Sequence, residues 1–423
     1  MIQNSASPRC PDERLALVES LALCLTIQSA DLASMIARDT GKPIRFCVAE
    51  VQRAVMMMRA VAARFHAYHD DERAGSARLR RRPIGRVSVI TPANNPVYIP
   101  LSKLIPAMLY GNVAVWKPAE EVTSLSRRIM TCFAESNWPT NIVQLREGGH
   151  QAAEALMHEE SVAGVTITGS EAAGRAAREI CSRRNILLQA ELGGNNAAVV
   201  WKDADLNWAA QAIADGAFEM AGQRCTANRR LIVHESVRDR FLDLVMSTSS
   251  RIKWGDPHSP DTQMGPLLSP SRSDRVAAVV GRASSHGSVL YPQNTNPPLS
   301  SFAGCWFPPT IVTCEVPEAE IVQEETFGPV LVVQTAMDWD HAIELTNGVR
   351  QGLVAAIFSS SPATIDRFLD QAQAGILKVN QATADAAVDV PFCAWKASGT
   401  GLPEHGIFNR EFYTRPQTIY EAA

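Results

Sequence analysis

The sequence predicts an α/β protein of two domains, each a mainly parallel sheet covered by helices on both faces. Three observations predict it. From Ile84 onward, short β-rich runs alternate with helical stretches at the spacing of parallel strand–helix–strand units. The alternation ends at Trp201 and starts again, and 423 residues are too many for one ordinary core. Apolar residues make up 46% of the chain, enough to fill two interiors and too many for a disordered protein.

In chain order, Asp12 is a candidate cap for a first helix. Leu15, Val18, Leu21, Leu25, Leu32 and Ile36 recur along it at roughly helical spacing, and Gly41-Lys42-Pro43 stops it. A second helix is expected over Ala49–Tyr68. The polar stretch from Asp70 to Gly75 and the run Arg78, Arg80, Arg81, Arg82 suit an exposed hairpin or edge strand. Strands are expected at Val87–Thr91, Asn112–Trp116, Ile142–Leu145, Gly164–Thr168, Ile186–Glu191 and Ala197–Trp201. Helices Leu101–Leu109, Leu125–Glu135, Gln151–Met157 and Glu171–Cys181 fall between them. The second unit has helix Asn207–Met220, strand Arg230–His234, and helices Val237–Ile252 and Arg272–Ser285. Strands Val330–Gln334, Ala355–Ser359 and Ile376–Val379 follow, with helices Asp338–Leu345 and Ala363–Gln373 between them. The tail Glu411–Tyr420 reads as a last strand, placed at an edge by Pro416.

Charge and cysteine usage narrow the function. A formal net charge of −4 disfavours nucleic acid and anionic membrane surfaces as partners. No apolar run approaches the length that crosses a bilayer, and Met1 to Arg14 lacks the apolar centre of a signal peptide. Nine scattered cysteines with no Cys-x-x-Cys pair suggest reduced thiols in a cytoplasm, with neither a disulfide framework nor a metal site. His66 and His69 lack nearby co-ligands and read as surface residues.

Several strand ends carry residues that suit carbonyl chemistry. Cys225 lies in Gly222-Gln223-Arg224-Cys225-Thr226, a turn before an apolar strand, where a thiol can be exposed and activated. In isolation a buried structural cysteine is an equal reading. Glu191 ends a strand before Gly193-Gly194-Asn195-Asn196, the position of a general base or of an ordinary loop carboxylate. Asn94 follows strand Val87–Thr91; its amide either closes an Asx-turn or holds a developing oxyanion. Lys117 and Glu120 follow another strand and suit ribose hydroxyls. Thr168-Gly169-Ser170 opens a helix, whose free N–H groups suit phosphate.

Together these stretches resemble the NAD(P)-dependent aldehyde dehydrogenase superfamily, in order from about Asp12 to the C-terminus. Gly174, Glu324-Glu325-Thr326-Phe327-Gly328-Pro329 and Pro391-Phe392-Cys393-Ala394-Trp395-Lys396-Ala397-Ser398-Gly399 complete the match. The resemblance implies that fold: a cofactor domain over 1–191, interrupted by an oligomerisation hairpin at 66–83, and a catalytic domain over 192–390. A return segment at 391–410 and an oligomerisation strand at 411–423 would follow. It further implies that Cys225 attacks an aldehyde, that Asn94 and the Cys225 N–H hold the oxyanion, and that Glu191 activates water against the thioester. Lys117, Glu120, Thr168, Gly169, Ser170, Gly174, Leu192, Gly193, Glu325 and Phe327 match cofactor-binding positions, and Lys103 matches a lysine near the cleft. The Glu120 carboxylate favours NAD over NADP. A homodimer or homotetramer is expected.

The departures bear on the substrate. The family's leading strands are absent, and Cys393-Ala394 replaces the common Gly-Gly. Ala93 stands where the family often has a bulky aromatic, which loosens packing near the nicotinamide; Asn95 and Ser102 replace residues that are often aromatic, which with Arg224 suggests a polar entrance. Asn95, Arg224 and Thr226 are therefore candidate contacts for a polar or carboxylate-bearing semialdehyde; the other role of Arg224 is to anchor its loop. The runs around Cys225 and Gly193 look similar to succinylglutamate-semialdehyde dehydrogenases. The alternatives are a CoA-acylating relative and a non-catalytic relative that binds NAD or serves as a structural partner.

Overall fold

The computed structural model describes residues 10–69, 72–290, 302, 304–384, 386–388 and 390–421. Helices α1 (Pro11–Ile27), α2 (Ser29–Thr40) and α3 (Ile44–His69) come first. The spacing predicts one helix where α1 and α2 stand; the chain turns by 69° at Gln28, just after the β-branched Thr26-Ile27. Asp12 is not the cap. Cys10 is the N-cap and Pro11 follows it, so Asp12 lies in the first turn, where its charge faces the positive helix end. Among the described residues no single helix is long and apolar enough to cross a membrane. The bent pair α1–α2 passes that test only together, and it packs its apolar side into the core.

Strands β1 (Glu72–Ala74) and β2 (Ala77–Pro83) form the expected hairpin. Then follow β3 (Arg86–Ile90), α4 (Tyr98–Leu109), β4 (Val113–Lys117), α5 (Thr123–Glu135) and β5 (Val143–Leu145). Helix α6 (His150–His158), β6 (Val162–Thr168), α7 (Glu171–Arg184) and β7 (Leu187–Glu191) complete the first unit. The second unit begins with β8 (Asn196–Val200), α8 (Leu206–Phe218), β9 (Asn228–His234), α9 (Arg238–Ser249) and α10 (Pro270–Ala283). It continues with β10 (Ser288–Leu290), β11 (Thr310–Thr313), α11 (Glu320–Gln323), β12 (Val330–Ala336), α12 (Trp339–Asn347), β13 (Gln351–Gly352), β14 (Val354–Phe358), α13 (Pro362–Gln371) and β15 (Ile376–Val379). The short β16 (Trp395–Lys396) and β17 (Gly399–Gly401), then α14 (Phe408–Tyr413) and β18 (Thr414–Tyr420), close the chain. Residues Glu411–Tyr413 are thus helical, and the last strand starts at Thr414.

Two large sheets result. The first has the order β17-β7-β6-β3-β4-β5, parallel except for the edge strand β17. The second has the order β10-β11-β12-β9-β8-β14-β15, parallel except for β10. A third, antiparallel sheet β1-β2-β18 holds the arginine run, with Pro416 on the edge strand β18. Chain 399–401 returns to pair with β7, so the segment after the second unit completes the first sheet. The strand alternation is hydrophobic because both sheet faces are covered: β4, β8 and β14 are buried along their whole length.

Register decides where chemistry can sit. Ile90 pairs with Lys117 and Ile167, and Thr168 pairs with Glu191, so the ends of β3, β4, β6 and β7 form one carboxyl edge. Cys225 precedes β9, and Glu325 and Phe327 precede β12, so these three stand at the amino edge of the second sheet. The two edges meet across the run Leu192 to Asn195, which joins β7 to β8.

Arg230 shows how the second sheet is held to its helices. Its guanidinium is fully buried and donates to the carbonyls of Asn195, Leu345 and Thr346 at 3.1, 2.6 and 3.0 Å. Burial alone brings its pKa down to about 10, still well above neutrality. Arg230→Ala is expected to lower stability by about 3 kcal/mol, because it leaves a cavity and three buried carbonyls without donors. Denaturant unfolding checks this; an unchanged midpoint would contradict it.

Candidate active site

The turn that presents Cys225 is built from unusual backbone. After α8 ends at Phe218, Met220, Ala221 and Gly222 adopt φ of 57°, 54° and 62° in succession. Helix Asn207–Met220 was the sequence expectation; the helix stops two residues earlier because this left-handed run reverses the chain. Only Gly222 suits such backbone, and a Cβ there would lie 2.3 Å from the Gly328 carbonyl oxygen. Met220 and Ala221 each carry about 1–3 kcal/mol of strain. Arg229 offsets it. Its buried guanidinium donates to the carbonyls of Gly222, Arg224 and Gly328, which ties the turn to the loop before β12.

Two glycines and an asparagine fix the other side. Asn196 donates to the carbonyls of Cys225 and Ala227 at 2.7 and 2.8 Å. A Cβ on Gly194 would lie 2.5 Å from the Cys225 carbonyl oxygen, and one on Gly193 would lie 2.1 Å from the Glu325 carboxylate. The Gly193-Gly194 run is therefore a close-approach site. The Gly194 N–H donates to Glu325 at 3.2 Å.

Cys225 lies on the wall of two cavities, of about 420 and 510 Å³. The smaller is lined by Thr168, Gly169, Ser170, Leu192, Gly193, Glu325 and Phe327, all expected from the sequence, together with Asn94 and Ala93. Ser170 is the N-cap of α7 and accepts from Ala173 N–H at 3.2 Å; the N–H groups of Glu171 and Ala172 have no intrahelical acceptor. Arg175, Arg272, Arg275, Arg350 and Lys42 line the cavity with three carboxylates, Glu171, Glu324 and Glu325. The wall is thus net cationic around a helix N-terminus, which fits a dinucleotide pyrophosphate. These arginines gave no signal in the sequence, since they come from three separate segments: α7, α10 and the connection from α12 to β13.

The larger cavity is lined by Glu191, Asn95, Arg224 and Thr226, and by Phe46, Tyr98, Ser102 and Phe392. The entrance is less polar than Asn95 and Ser102 suggest, because Phe46 and Phe392 reach it from other elements and Tyr98 from the first turn of α4. Arg224 anchors its loop through Nη2, which donates to the carbonyls of Asp215 and Gly216 at 3.1 and 3.4 Å. Its Nε is buried without a partner. Asn95 accepts from Lys42 at 2.7 Å.

Glu191 is 5% exposed, and its Oε2 has no hydrogen-bond partner. Burial and the neighbouring Glu404 raise its pKa well above the usual carboxylate value, against a lowering by Lys103. Lys103 does not line either cavity. It is fully buried, donates to Thr166 Oγ1 at 3.0 Å, and pairs with Glu404, which does line the larger cavity beside His405. Burial keeps His405 neutral. Glu404 and His405 were missed, since nothing in Pro403-Glu404-His405-Gly406 marks them. Gly174 makes room for packing: a Cβ there would lie 2.4 Å from Leu192 Cδ1, so it touches the core and not the cavity. Lys117 and Glu120 stand at the end of β4, beyond both cavity walls. His66 is exposed and lies 3.5 Å from Asp12; the side chain of His69 lies outside the described residues. Among the described residues, Cys24, Cys132 and Glu135 bring potential metal donors within 4.8 Å of one another, between α1 and α5 and in neither cavity.

The sequence model of the Aldehyde dehydrogenase family matches residues 3–419. The chain belongs to that family. It is 30% identical to the alpha-ketoglutaric semialdehyde dehydrogenase of Bacillus subtilis (strain 168), over 92% of this chain and 81% of that protein. It is 33% identical to the N-succinylglutamate 5-semialdehyde dehydrogenase of Erwinia tasmaniensis, over 92% and 80%. The crystal structure of an NAD-dependent aldehyde dehydrogenase from Sinorhizobium meliloti superposes with a TM-score of 0.91 and 28% identity, over 97% of this chain and 82% of that one. The protein is an NAD(P)-dependent aldehyde dehydrogenase by family and by fold.

The Cys225 thiol is pushed up to about 12, first by burial and then by the Glu325 and Glu191 carboxylates, against its own backbone N–H and Arg229. It is therefore protonated at neutral pH. Alkylation of Cys225 by iodoacetamide, followed by peptide mass, is expected to rise about tenfold per pH unit from about pH 7 to 9 without a plateau. Glu325→Gln removes a negative neighbour, lowers the thiol pKa and speeds alkylation at fixed pH. A plateau below about pH 8 would contradict this assignment.

Proposed function

We propose that the protein oxidises a carboxylate-bearing semialdehyde to the acid with NAD, using Cys225 as nucleophile. One observation carries the reading: Cys225 lies on the wall shared by a cationic cavity at a helix N-terminus and a second cavity holding Glu191. Thr168, Gly169, Ser170, Leu192, Gly193, Glu325 and Phe327 would hold the cofactor, with Lys117 and Glu120 at the adenosine ribose. The Glu120 carboxylate would repel a 2′-phosphate and so select NAD. When bound, the oxidised nicotinamide supplies the hydride acceptor and a positive charge that offsets the carboxylates around the thiol.

In the proposed sequence the Cys225 thiol gives its proton to solvent water in the cleft, and the sulfur bonds to the aldehyde carbon. The carbonyl oxygen takes the negative charge, and the Asn94 Nδ2–H and the Cys225 N–H hold it. Asn94 Nδ2 already donates to the Gln223 carbonyl at 3.0 Å, which orients the amide and leaves its second N–H for the oxyanion. After hydride loss, a thioester remains on Cys225. Glu191 removes a proton from water, the hydroxide adds to the thioester carbon, and the C–S bond breaks to release the acid. The unpartnered, buried Glu191 Oε2 supports water as the acceptor and not a CoA thiol.

The names of both relatives support a semialdehyde substrate. So does Arg224, whose Nε is a buried donor without a partner beside the larger cavity. Asn95 and Thr226 flank it as substrate contacts. A reducing cytoplasm suits the nine free thiols. The proposed domain division is 1–191, 192–390, 391–410 and 411–423, with 66–83 set aside as the oligomerisation hairpin. The exposed edge strand β18 is the proposed dimerisation edge. A monomer mass in solution would overturn that assembly.

Cys225→Ala is expected to abolish NADH formation while leaving the folding transition in place; a wild-type rate would refute the mechanism. Across ω-carboxy, amino and aliphatic aldehydes, kcat/KM is expected to favour the ω-carboxy class by at least about tenfold. Arg224→Gln removes most of that preference. Equal rates for all three classes would overturn the substrate assignment.

A further inference from the structure

The turn that carries Asn94 is held locally by the Ile99 N–H, which donates to the Asn95 carbonyl at 3.1 Å, and from outside by a second element. Lys42 reaches it from the loop between α2 and α3. Its side chain is 5% exposed, and its ammonium donates to Glu50 Oε2 at 2.7 Å, to Asn95 Oδ1 at 2.7 Å and to the Asn94 carbonyl at 3.3 Å. An ammonium has three protons, and these three acceptors use them all. The Glu50 carboxylate is occupied in the same way. Oε2 takes Lys42, and Oε1 accepts the Val97 and Tyr98 N–H groups at 2.8 and 2.9 Å, at the start of α4.

We propose that the buried Lys42–Glu50 ion pair is a positioning device of the oxyanion site, fixing the backbone that carries Asn94 by clamping the turn from both ends, while the Gln223 carbonyl orients the amide itself. Lys42 grips residues 94 and 95, while Glu50 grips the helix start that follows them. Pro96 restricts the backbone between the two grips. Lys42 lines both cavities, yet with its donors committed it acts through Asn94 and is not a contact for the substrate carboxylate. It is therefore a positioning residue. Helix start, turn and Asn94 move as one unit with the pair, and a small displacement of an oxyanion donor has a large kinetic cost.

The inference rests on the reading of Asn94 as oxyanion donor, and one experiment separates the two. The variants are Asn94→Ala, Lys42→Met with Glu50→Gln, and all three together. The paired neutral substitution avoids stranding one buried charge, which alone destabilises the region. Each is assayed for steady-state NADH formation and for hydrolysis of 4-nitrophenyl acetate, an ester that needs thiol and oxyanion donor but no cofactor. NAD affinity is measured by fluorescence titration.

Asn94→Ala is expected to lower both rates by about 100-fold. The paired variant is expected to lower kcat for both by at least about tenfold, with NAD affinity changed less than about twofold. In the Asn94→Ala background the paired substitution costs less than about threefold more, because the group it positions is gone. Full multiplication of the two effects would overturn the positioning role. A near-normal rate for Asn94→Ala would instead overturn the reading of Asn94 itself. Should the paired variant fail to fold, Lys42→Arg serves in its place: it keeps the charge but alters the donor geometry, and the same non-additivity with Asn94→Ala is expected.

Discussion

Everything at this site depends on a reversal of the chain in three residues. Met220, Ala221 and Gly222 run through the left-handed region in succession, so that a helix of the second unit ends and Cys225 emerges between two sheet edges. Two of the three have side chains that disfavour this backbone, so the turn persists only because its surroundings hold it. The Arg229 guanidinium bonds three carbonyls across the turn and the loop before β12. Asn196 bonds the Cys225 carbonyl from the opposite side. The thiol's position is thus set by donors aimed at the backbone around it.

That arrangement has an electrostatic consequence. Cys225, Glu191 and Glu325 are all pushed toward their neutral forms by burial, and each carboxylate disfavours the thiolate further. The centre therefore favours a neutral thiol. Cationic groups are near but committed elsewhere: Arg229 to the turn, Lys103 to Glu404, Lys42 to Glu50. A positively charged ligand ring in the cleft changes that balance in the direction of the thiolate.

The sequence made the sheet order of chemistry legible because β-rich runs and helices alternate cleanly, and because Lys117 and Glu191 end strands while Asn94 and Ser170 follow them. The short strands β10, β11, β13, β16 and β17 were not legible, since two to four residues carry no period. The pair Gly193-Gly194 was visible as a motif, but its cause, the approach of the Cys225 carbonyl and the Glu325 carboxylate, exists only in three dimensions. The left-handed run at Met220-Ala221 had no residue-type signal at all. Lys42 and Glu50 were hidden for a different reason: their partners at 94–98 lie some fifty residues away, and Gly41-Lys42-Pro43 reads locally as a helix stop. Gly174 and Lys103 were assigned to the cofactor by resemblance, whereas their contacts are with Leu192 and with Thr166 and Glu404.

The central claim is that a single thiol carries the substrate carbon while Glu191 waits to release it. The most direct measurement is a single-turnover reaction of the Glu191→Gln variant with NAD and an ω-carboxy semialdehyde, quenched in acid and read by peptide mass. The account predicts a burst of NADH stoichiometric with active sites, slow turnover after it, and an acyl adduct on the peptide containing Cys225. A burst with no adduct, or an adduct on another cysteine, would contradict it.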